Sequence, residues 1–579
     1  MKPAQHLRRA AAILPQAWAL SSPYFGSERK WSARGLLAAI VALNLAAVYM
    51  LVQINEWNRL FYDALQQRNE SVFWTQLGRF ALIALAYIVI AVYKFYLTQR
   101  LQLDWRRWLT QRMMARWLEH KAFYRLELAR FQAKELPDNP DQRIQEDLNL
   151  FTTYTVSLAM GVLNAAVTFV SFVGILWSLS AGVGLDLFGR HWEVPGFMLW
   201  VAVLYCLAGT AITFWVGRPQ VQLNYRQQRL EADFRHRLVR VREHSEAIAL
   251  EDGERVEGQQ LGLRFSDALA NYLTLIKQQK NLIWFTTFFG QAAVVFPFIV
   301  AAPRFFSGAI QLGELMQIAS AFGRVQDSLS WIVDNYSDIA AWRATTERLS
   351  GFEASLTAQG DAVALRPAPG ERLHAEGLDV QLPNGAALLR GATLNAAPGD
   401  AILVSGPSGS GKSTLLRAFA GIWPFARAAG ATRPRDAMFI PQRPYFPDGP
   451  LRDALAYPEP AARYTDDALR HALNDALLPQ LAGRLDDAGA WNAMLSGGEQ
   501  QRLAIARVLL KRPAWVLADE ATSALDTPAE RTLYQRLAAL TQERGGALVS
   551  VAHRDSVQAF HRTRWRLVPD EARVSVEPL

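Results

Sequence analysis

Five apolar stretches dominate the first half of this sequence, over roughly residues 35–54, 79–98, 155–179, 196–216 and 283–303. Each is long enough to cross a bilayer, which takes about 20 residues in helical form. Water does not reach the backbone there, so such stretches close their hydrogen bonds within a helix. Together with a composition that is 51% hydrophobic, they point to a membrane part joined to an ordinary soluble part. A sixth stretch, about 308–332, is interrupted by Glu314, Arg324 and Asp327. Its charges suit a helix whose polar face lines a water-filled cavity.

Charge orients these spans. Basic residues crowd between spans two and three, from Arg100, Arg106 and Arg107 to Arg143, and again between spans four and five, from Arg218 to Lys280. Only Arg59 and Arg68 lie between spans one and two, and only Arg190 between spans three and four. The crowded loops are therefore expected to be cytoplasmic, together with the N-terminus carrying Arg8 and Arg9. This distribution accounts for the net charge of +8 without any nucleic-acid partner. The single cysteine, Cys206, leaves no disulfide within the chain. The first apolar run begins near Gly35, after a polar and basic lead, and is too long for the core of a cleavable signal. Lys94, near the end of span two, is expected to snorkel to the cytoplasmic interface.

The pattern changes after a stretch rich in Ala, Gly and Pro at 350–370, expected as a linker between a membrane domain (1–349) and a second domain (371–579). Short apolar strands then alternate with helices, an α/β pattern. Leu403-Val404-Ser405 ends a strand and leads into Gly406-Pro407-Ser408-Gly409-Ser410-Gly411-Lys412-Ser413-Thr414, a complete P-loop in its strand-to-helix setting. Its glycines let backbone N–H groups close around phosphates at a helix N-terminus. Lys412 is expected to reach the β- and γ-phosphates of ATP, and Ser413 to ligate Mg²⁺. The apolar run Trp515–Ala518 ends in Asp519 and Glu520. Asp519 suits a Mg²⁺ ligand, and Glu520 a general base for the attacking water.

Between these motifs stands Leu495-Ser496-Gly497-Gly498-Glu499-Gln500-Gln501-Arg502, which resembles the signature of the ABC ATPases. The resemblance extends to Gln442 in the Q-loop position, where it would assist catalysis and touch the metal, to Asp526 in the D-loop, and to His553 as the switch histidine. It implies a sandwich in which Ser496, Gly497 and Gly498 of a second subunit close over the ATP held by Gly406, Ser408, Gly409, Ser410, Gly411, Lys412, Ser413 and Thr414. A chain with one ATPase then needs a partner, and a homodimer with two equivalent sites is the simplest assembly. Relatives often stack adenine on an aromatic residue upstream of the P-loop. The matching stretch here, Leu378 to Pro383, has none, so an aliphatic surface or a distant aromatic is expected in its place.

The membrane half narrows the resemblance. Asp138-Asn139-Pro140-Asp141-Gln142-Arg143-Ile144 is similar to a motif of the peroxisomal fatty-acyl half-transporters, and Glu246-Ala247-Ile248-Ala249-Leu250 to their EAA-like motif. The chain thus resembles the SbmA/BacA-like and YddA-like bacterial branch of that group. This implies six transmembrane helices in an exporter-type fold, with the Leu136–Pro140 segment as the cytoplasmic turn of the first long loop. Parity agrees, because an ATPase and an N-terminus both in the cytoplasm require an even number of spans. The expected function is ATP-driven transport across a bacterial inner membrane, with uptake of hydrophilic solutes such as cobalamin or peptide antibiotics. The alternatives are export of lipid, acyl-CoA or drug-like compounds, and a gated channel or sensor that does not pump. Asn44, Gln53, Tyr87, Gln291, Gln317 and Gln326 are the polar residues that can line a cavity, and such residues also serve as helix–helix hydrogen bonders.

Overall fold

The computed structural model describes residues 3–129, 139–180, 184–187, 190–193, 195–360, 365, 367–568 and 571–579. They form two compact units, one of Met1–Met113 and Asn139–Ser350, the other of Met114–Asp138 and Gly351–Leu579. The chain therefore passes three times from one unit to the other.

The first unit is almost wholly helical. It opens with α1 (Pro3–Gly26), α2 (Lys30–Gln66) and α3 (Glu70–Leu118). A tight turn at Glu119–Lys121 leads to α4 (Ala122–Ala129), which belongs to the other unit. Most of the expected turn Leu136–Pro140 lies outside the described residues, but Asn139 is left-handed (φ 56) and Pro140 starts α5 (Pro140–Gln142). A wide helical turn over Arg143–Asp147 then joins α6 (Leu148–Leu179). A hairpin of β1 (Gly184–Leu187) and β2 (Arg190–Glu193), not foreseen from the sequence, precedes α7 (Phe197–Glu243), α8 (Ser245–Leu250), α9 (Glu254–Phe306), α10 (Leu312–Asp334) and α11 (Tyr336–Gly360).

Five helical segments are long and apolar enough to cross a membrane: Lys30–Gln66, Glu70–Ala129, Pro140–Leu179, Phe197–Glu243 and Glu254–Phe306. The sixth candidate, α10, is not among them, and its surroundings explain why. It packs on α2, α6, α7 and α9 and buries Leu315, Ile318, Ala321, Phe322 and Val325. A helix enclosed by protein needs less apolar surface than one facing lipid. Glycines make the close approaches. A Cβ on Gly313 would collide with the Arg59 carbonyl, one on Gly209 with the Phe289 ring, and one on Gly161 with Trp331. Side chains of α2 bind the first turn of α10, for Gly313 N donates to Asp63 Oδ1 (2.8 Å) and Leu312 N to Gln66 Oε1 (2.7 Å).

Three of the expected cavity residues serve as helix–helix hydrogen bonders. Asn44 is fully buried and accepts from Lys94 Nζ at 2.9 Å. Lys94 thus turns inward to a partner on α2, where snorkelling was expected; a buried amide within reach replaces the water it would otherwise seek. Gln53 accepts from Arg79 (3.2 Å), and Gln317 donates to Glu56 (3.2 Å). The stretch 350–370 is also less of a linker than its composition implies, since α11 continues through it to Gly360.

The second unit carries two sheets. The smaller joins β3 (Ala368–Gly370), β4 (Leu373–Gln381), β5 (Ala387–Ala396), β7 (Ala426–Arg427) and β8 (Gly430–Pro434). The larger has the order β15-β14-β6-β13-β12-β9, from β6 (Ala401–Ser405), β9 (Ala437–Ile440), β12 (Trp515–Asp519), β13 (Leu548–Val551), β14 (Thr563–Val568) and β15 (Arg573–Pro578). All its pairings are parallel except β14 with β15. A two-stranded ribbon of β10 (Gly449–Pro450) and β11 (Ala488–Gly489) lies apart. The helices are α12 (Lys412–Phe419), α13 (Leu451–Ala456), α14 (Asp466–Asp475), α15 (Trp491–Met494), α16 (Gly497–Lys511), α17 (Thr527–Glu543) and α18 (Asp555–Gln558). Segment 114–129 is built into this unit. Leu128 shares a buried cluster with Leu378, Leu394, Trp423 and Trp565, and Tyr124 packs against it. Arg116 pairs with Glu353 and donates to Thr357 Oγ1 at 2.9 Å.

Candidate active site

Parallel strands bring their C-terminal ends to one edge of the larger sheet, and the motif residues cluster there. The P-loop leaves β6 and enters α12. Gly406 has φ +150, and a Cβ there would lie 2.9 Å from the Leu567 carbonyl, so no other residue fits. Lys412 is buried and folds back over its own loop, donating from Nζ to the carbonyls of Gly406 (3.0 Å) and Pro407 (2.8 Å). Burial pushes its ammonium below the usual lysine range, against the pull of Glu520 and Asp519. The Ser410 hydroxyl is buried without a hydrogen-bond partner among the described residues. A buried orphan hydroxyl and an ammonium hydrogen-bonded to the loop's own carbonyls suit a loop shaped for phosphate oxygens. Ser408, Gly409 and Gly411 complete its curve, and Thr414 is buried behind it.

Every residue of β12 is buried, which places Asp519 at the floor of the site. Burial pushes its carboxyl up, and a hydrogen bond from Ser413 Oγ to Oδ1 (2.9 Å) partly opposes this. Glu520 follows in a left-handed conformation (φ 49), a strained geometry for a side-chain-bearing residue. Its carboxylate is held between two partners. Gln442 Nε2 donates to Oε2 at 2.8 Å, and His553 Nε2 lies 3.3 Å from Oε1.

Ser496 caps α16 in a reciprocal arrangement. Glu499 N donates to Ser496 Oγ (3.4 Å), and Ser496 N donates to Glu499 Oε2 (3.0 Å). The Ser496 hydroxyl also donates to Glu499, and these bonds to Ser496 hold the Glu499 carboxyl below its usual range. A Cβ on Gly498 would meet the Ala524 carbonyl at 3.2 Å, and one on Gly497 the Ala524 side chain at 3.7 Å. The signature turn of this chain therefore sits against its own D-loop. No hydrogen bond joins Ser496, Gly497 or Gly498 to the P-loop among the described residues. Asp526 caps α17, accepting from Ala529 N at 2.9 Å.

Three residues near the site were not singled out from the sequence. Gln501 donates to Ser523 Oγ (2.9 Å) and the Glu520 carbonyl (3.3 Å) and accepts from Ala524 N (2.9 Å). Glu530 is buried, and Arg554 reaches the D-loop carbonyls. Gln501 stands inside the signature octet and had that signal. Glu530 reads as one more solvated charge on an amphipathic helix. On the adenine side, Leu378 and Val380 are buried in the sheet. The side chain nearest a Cβ on Gly411 is Leu388, at 3.0 Å, so the surface beside the P-loop is aliphatic there.

A phosphate loop, paired carboxylates at a strand end and a serine-capped glycine helix on one sheet define an ABC-type ATPase. It shares its chain with a bundle of bilayer-length helices, and the chain belongs to the ABC transporter family as a half-transporter. Residues 20–306 match the family described as ABC transporter transmembrane region 2, and residues 389–523 the family described as ABC transporter. An ABC transporter ATP-binding protein of Haemophilus influenzae is 34% identical over 94% of this chain and 91% of its own length. The Escherichia coli inner membrane ABC transporter ATP-binding protein YddA is 32% identical over 93% and 94%. The human lysosomal cobalamin transporter ABCD4 is 25% identical over 94% of each. A bacterial Atm1-family ABC exporter solved with ATP bound shares the fold, with a TM-score of 0.71 at 18% identity over 94% of this chain and 95% of that one. The protein is a membrane-spanning transporter that binds ATP and couples its hydrolysis to transport.

Proposed function

We propose that this half-transporter works as a homodimer in a bacterial inner membrane and takes up hydrophilic solutes such as cobalamin or peptide antibiotics. The N-terminus and the ATPase face the cytoplasm. The observation that carries the reading is the poised Glu520, held by Gln442 and His553 beside a complete P-loop. A protein that only gates or senses often has a degenerate site, and an aligned base with a full signature argues against that role. The names of two relatives, an inner membrane protein and a cobalamin transporter, support the location and the solute class.

In this reading Lys412 binds the β- and γ-phosphates, and the N–H groups of 406–414 wrap the rest. Ser496, Gly497 and Gly498 of the partner copy close the open face, with Asp526 between the two sites. Ser413 Oγ, Asp519 and Gln442 would hold Mg²⁺. Their all-oxygen donor set, with one carboxylate beside the phosphates, fits that ion's preference for few protein ligands. When bound, Mg²⁺ neutralises charge that develops on the transferred phosphoryl group. Glu520 accepts the proton of the attacking water, and His553 and Gln442 fix the direction in which its carboxylate points. Nucleotide-driven closure then biases the membrane helices between two orientations.

The test is accumulation of labelled cobalamin and of a labelled peptide antibiotic in cells lacking their own importers. These cells would express either the native chain or Glu520→Gln at matched membrane levels. Uptake with the native chain alone is the expected result. No uptake by either, with normal ATP hydrolysis by the purified native protein, would overturn uptake of those solutes and put export first.

A further inference from the structure

Glu530 is the least expected charge in the ATPase unit. It is 2% exposed, and a carboxylate that deep is costly unless its oxygens are matched. Its partners come from two segments that both border the reaction centre. Oε1 accepts from Thr522 Oγ1 at 2.7 Å, two residues beyond Glu520, and Oε2 accepts from Ser556 Oγ at 2.5 Å, three beyond His553. Arg554 Nη1 lies 3.8 Å from the same Oε2. That guanidinium also spans the D-loop, donating to the carbonyls of Leu525 (2.6 Å) and Ser523 (3.0 Å). The D-loop is bounded on its other side by the signature helix, through Gln501 and the close approach of Gly498 to Ala524.

The links in this chain are hydrogen bonds, one ion pair and one close backbone approach, so the four motif segments have little freedom to move singly. We infer that Glu530 and Arg554 are positioning residues for hydrolysis: together they fasten the His553 loop to the D-loop, so that His553 meets Glu520 only when the D-loop is in place. A shift of the signature turn would move Ser523, Ala524 and Leu525, the Arg554 anchored on the first and last of these, and His553 one residue before it. Neither residue is hydrogen-bonded to the P-loop among the described residues, so the grip of this chain's own P-loop on ATP lies outside the linkage. The inference rests on the roles given above to Glu520 and His553.

The experiment measures kcat, the KM for ATP and thermal stability of the full-length protein in lipid nanodiscs, for Glu520→Gln, Glu530→Gln, Arg554→Met and Arg554→Lys. The Arg554 side chain is 44% exposed, against 2% for Glu530, so its variants are expected to disturb folding less, and the thermal stability of each variant checks this. Misplacing a group by about 1 Å costs up to roughly 100-fold in rate, so kcat of Arg554→Met should fall about 10- to 100-fold with KM within about twofold. Arg554→Lys, which retains a cation but not the fork, should recover part of the loss. Unchanged kcat in Arg554→Met would overturn the inference. So would a KM that rises in step with the fall in kcat, or a lysine variant no better than methionine. Hydrolysis that survives Glu520→Gln would instead overturn the assignment of the base, a separate failure.

Discussion

Two short helices interrupt the long helical pairs of this chain, and their surroundings are opposite. In α4, residues Ala122, Arg125, Leu126, Leu128 and Ala129 are buried, and the segment belongs to the ATPase unit of its own chain. In α8 no residue is buried, and Leu250 is 79% exposed. Both carry apolar side chains at a turn between long helices, so composition does not separate them. The difference is that one has found its receptor within the chain and the other has not. In the proposed homodimer a second copy is available to cover α8.

The largest expected effect tests that reading directly. Replacing a general base costs about 100-fold or more, so Glu520→Gln should almost abolish hydrolysis while retaining ATP and trapping the closed dimer. Hydrogen exchange would then slow at 245–250 and stay unchanged at 122–129; slowing at neither removes the comparison's meaning. Next come paired truncations. Leu126→Ala should cost the ATPase unit about 2–3 kcal/mol through its cavity, whereas Leu250→Ala should stay within about 0.5 kcal/mol, as surface changes do. Leu250→Ala should nonetheless reduce solute-dependent ATP hydrolysis. Equal thermal effects would show that the two turns do not differ as described.

A smaller effect concerns pH. Burial lowers the pKa of Lys412 in the free site, and a bound phosphate raises it again. ATP binding should therefore be at full strength below the lowered value. It should weaken as pH rises through that value, short of the 10.5 of an ordinary lysine, and take up a proton in that window. Titrating affinity by fluorescence anisotropy from neutral to alkaline pH checks this, and an affinity flat up to the ordinary lysine range contradicts it. The smallest effect lies outside both turns. A double-mutant cycle on Lys94→Met and Asn44→Leu should give a coupling of about 0.5–1.5 kcal/mol, the scale of hydrogen bonds between membrane helices. Zero coupling would return Lys94 to the interface.

The ATPase motifs were legible because each is a short run with its chemistry inside it, and the spans were legible because apolar length is a local property. What escaped notice depends on neighbours. The hydropathy of α10 is lowered by charges that its enclosed position tolerates. Lys94 looks like any interfacial lysine until Asn44, fifty residues earlier, is found beside it. Glu530 gains its meaning from Thr522 and Ser556, which no spacing rule links to it. The assignment of segment 114–138 to the ATPase rests on Leu128 and Tyr124 meeting a core built from residues beyond 370. None of these pairings leaves a period in the sequence.

That last feature bears on how the protein is made. Met114–Asp138 leaves the ribosome well before Gly351–Leu579, the stretch with which it forms one unit. At about 5–20 residues per second, the wait before even the first of those later residues is roughly ten to fifty seconds. During that interval Leu128 lacks the residues it is buried among in the finished protein. The ATPase unit is therefore not contiguous in the order of synthesis: one piece of it is made before the last membrane helices and the rest after them. A nascent chain stalled before residue 351 would carry α4 without the later residues that share its unit.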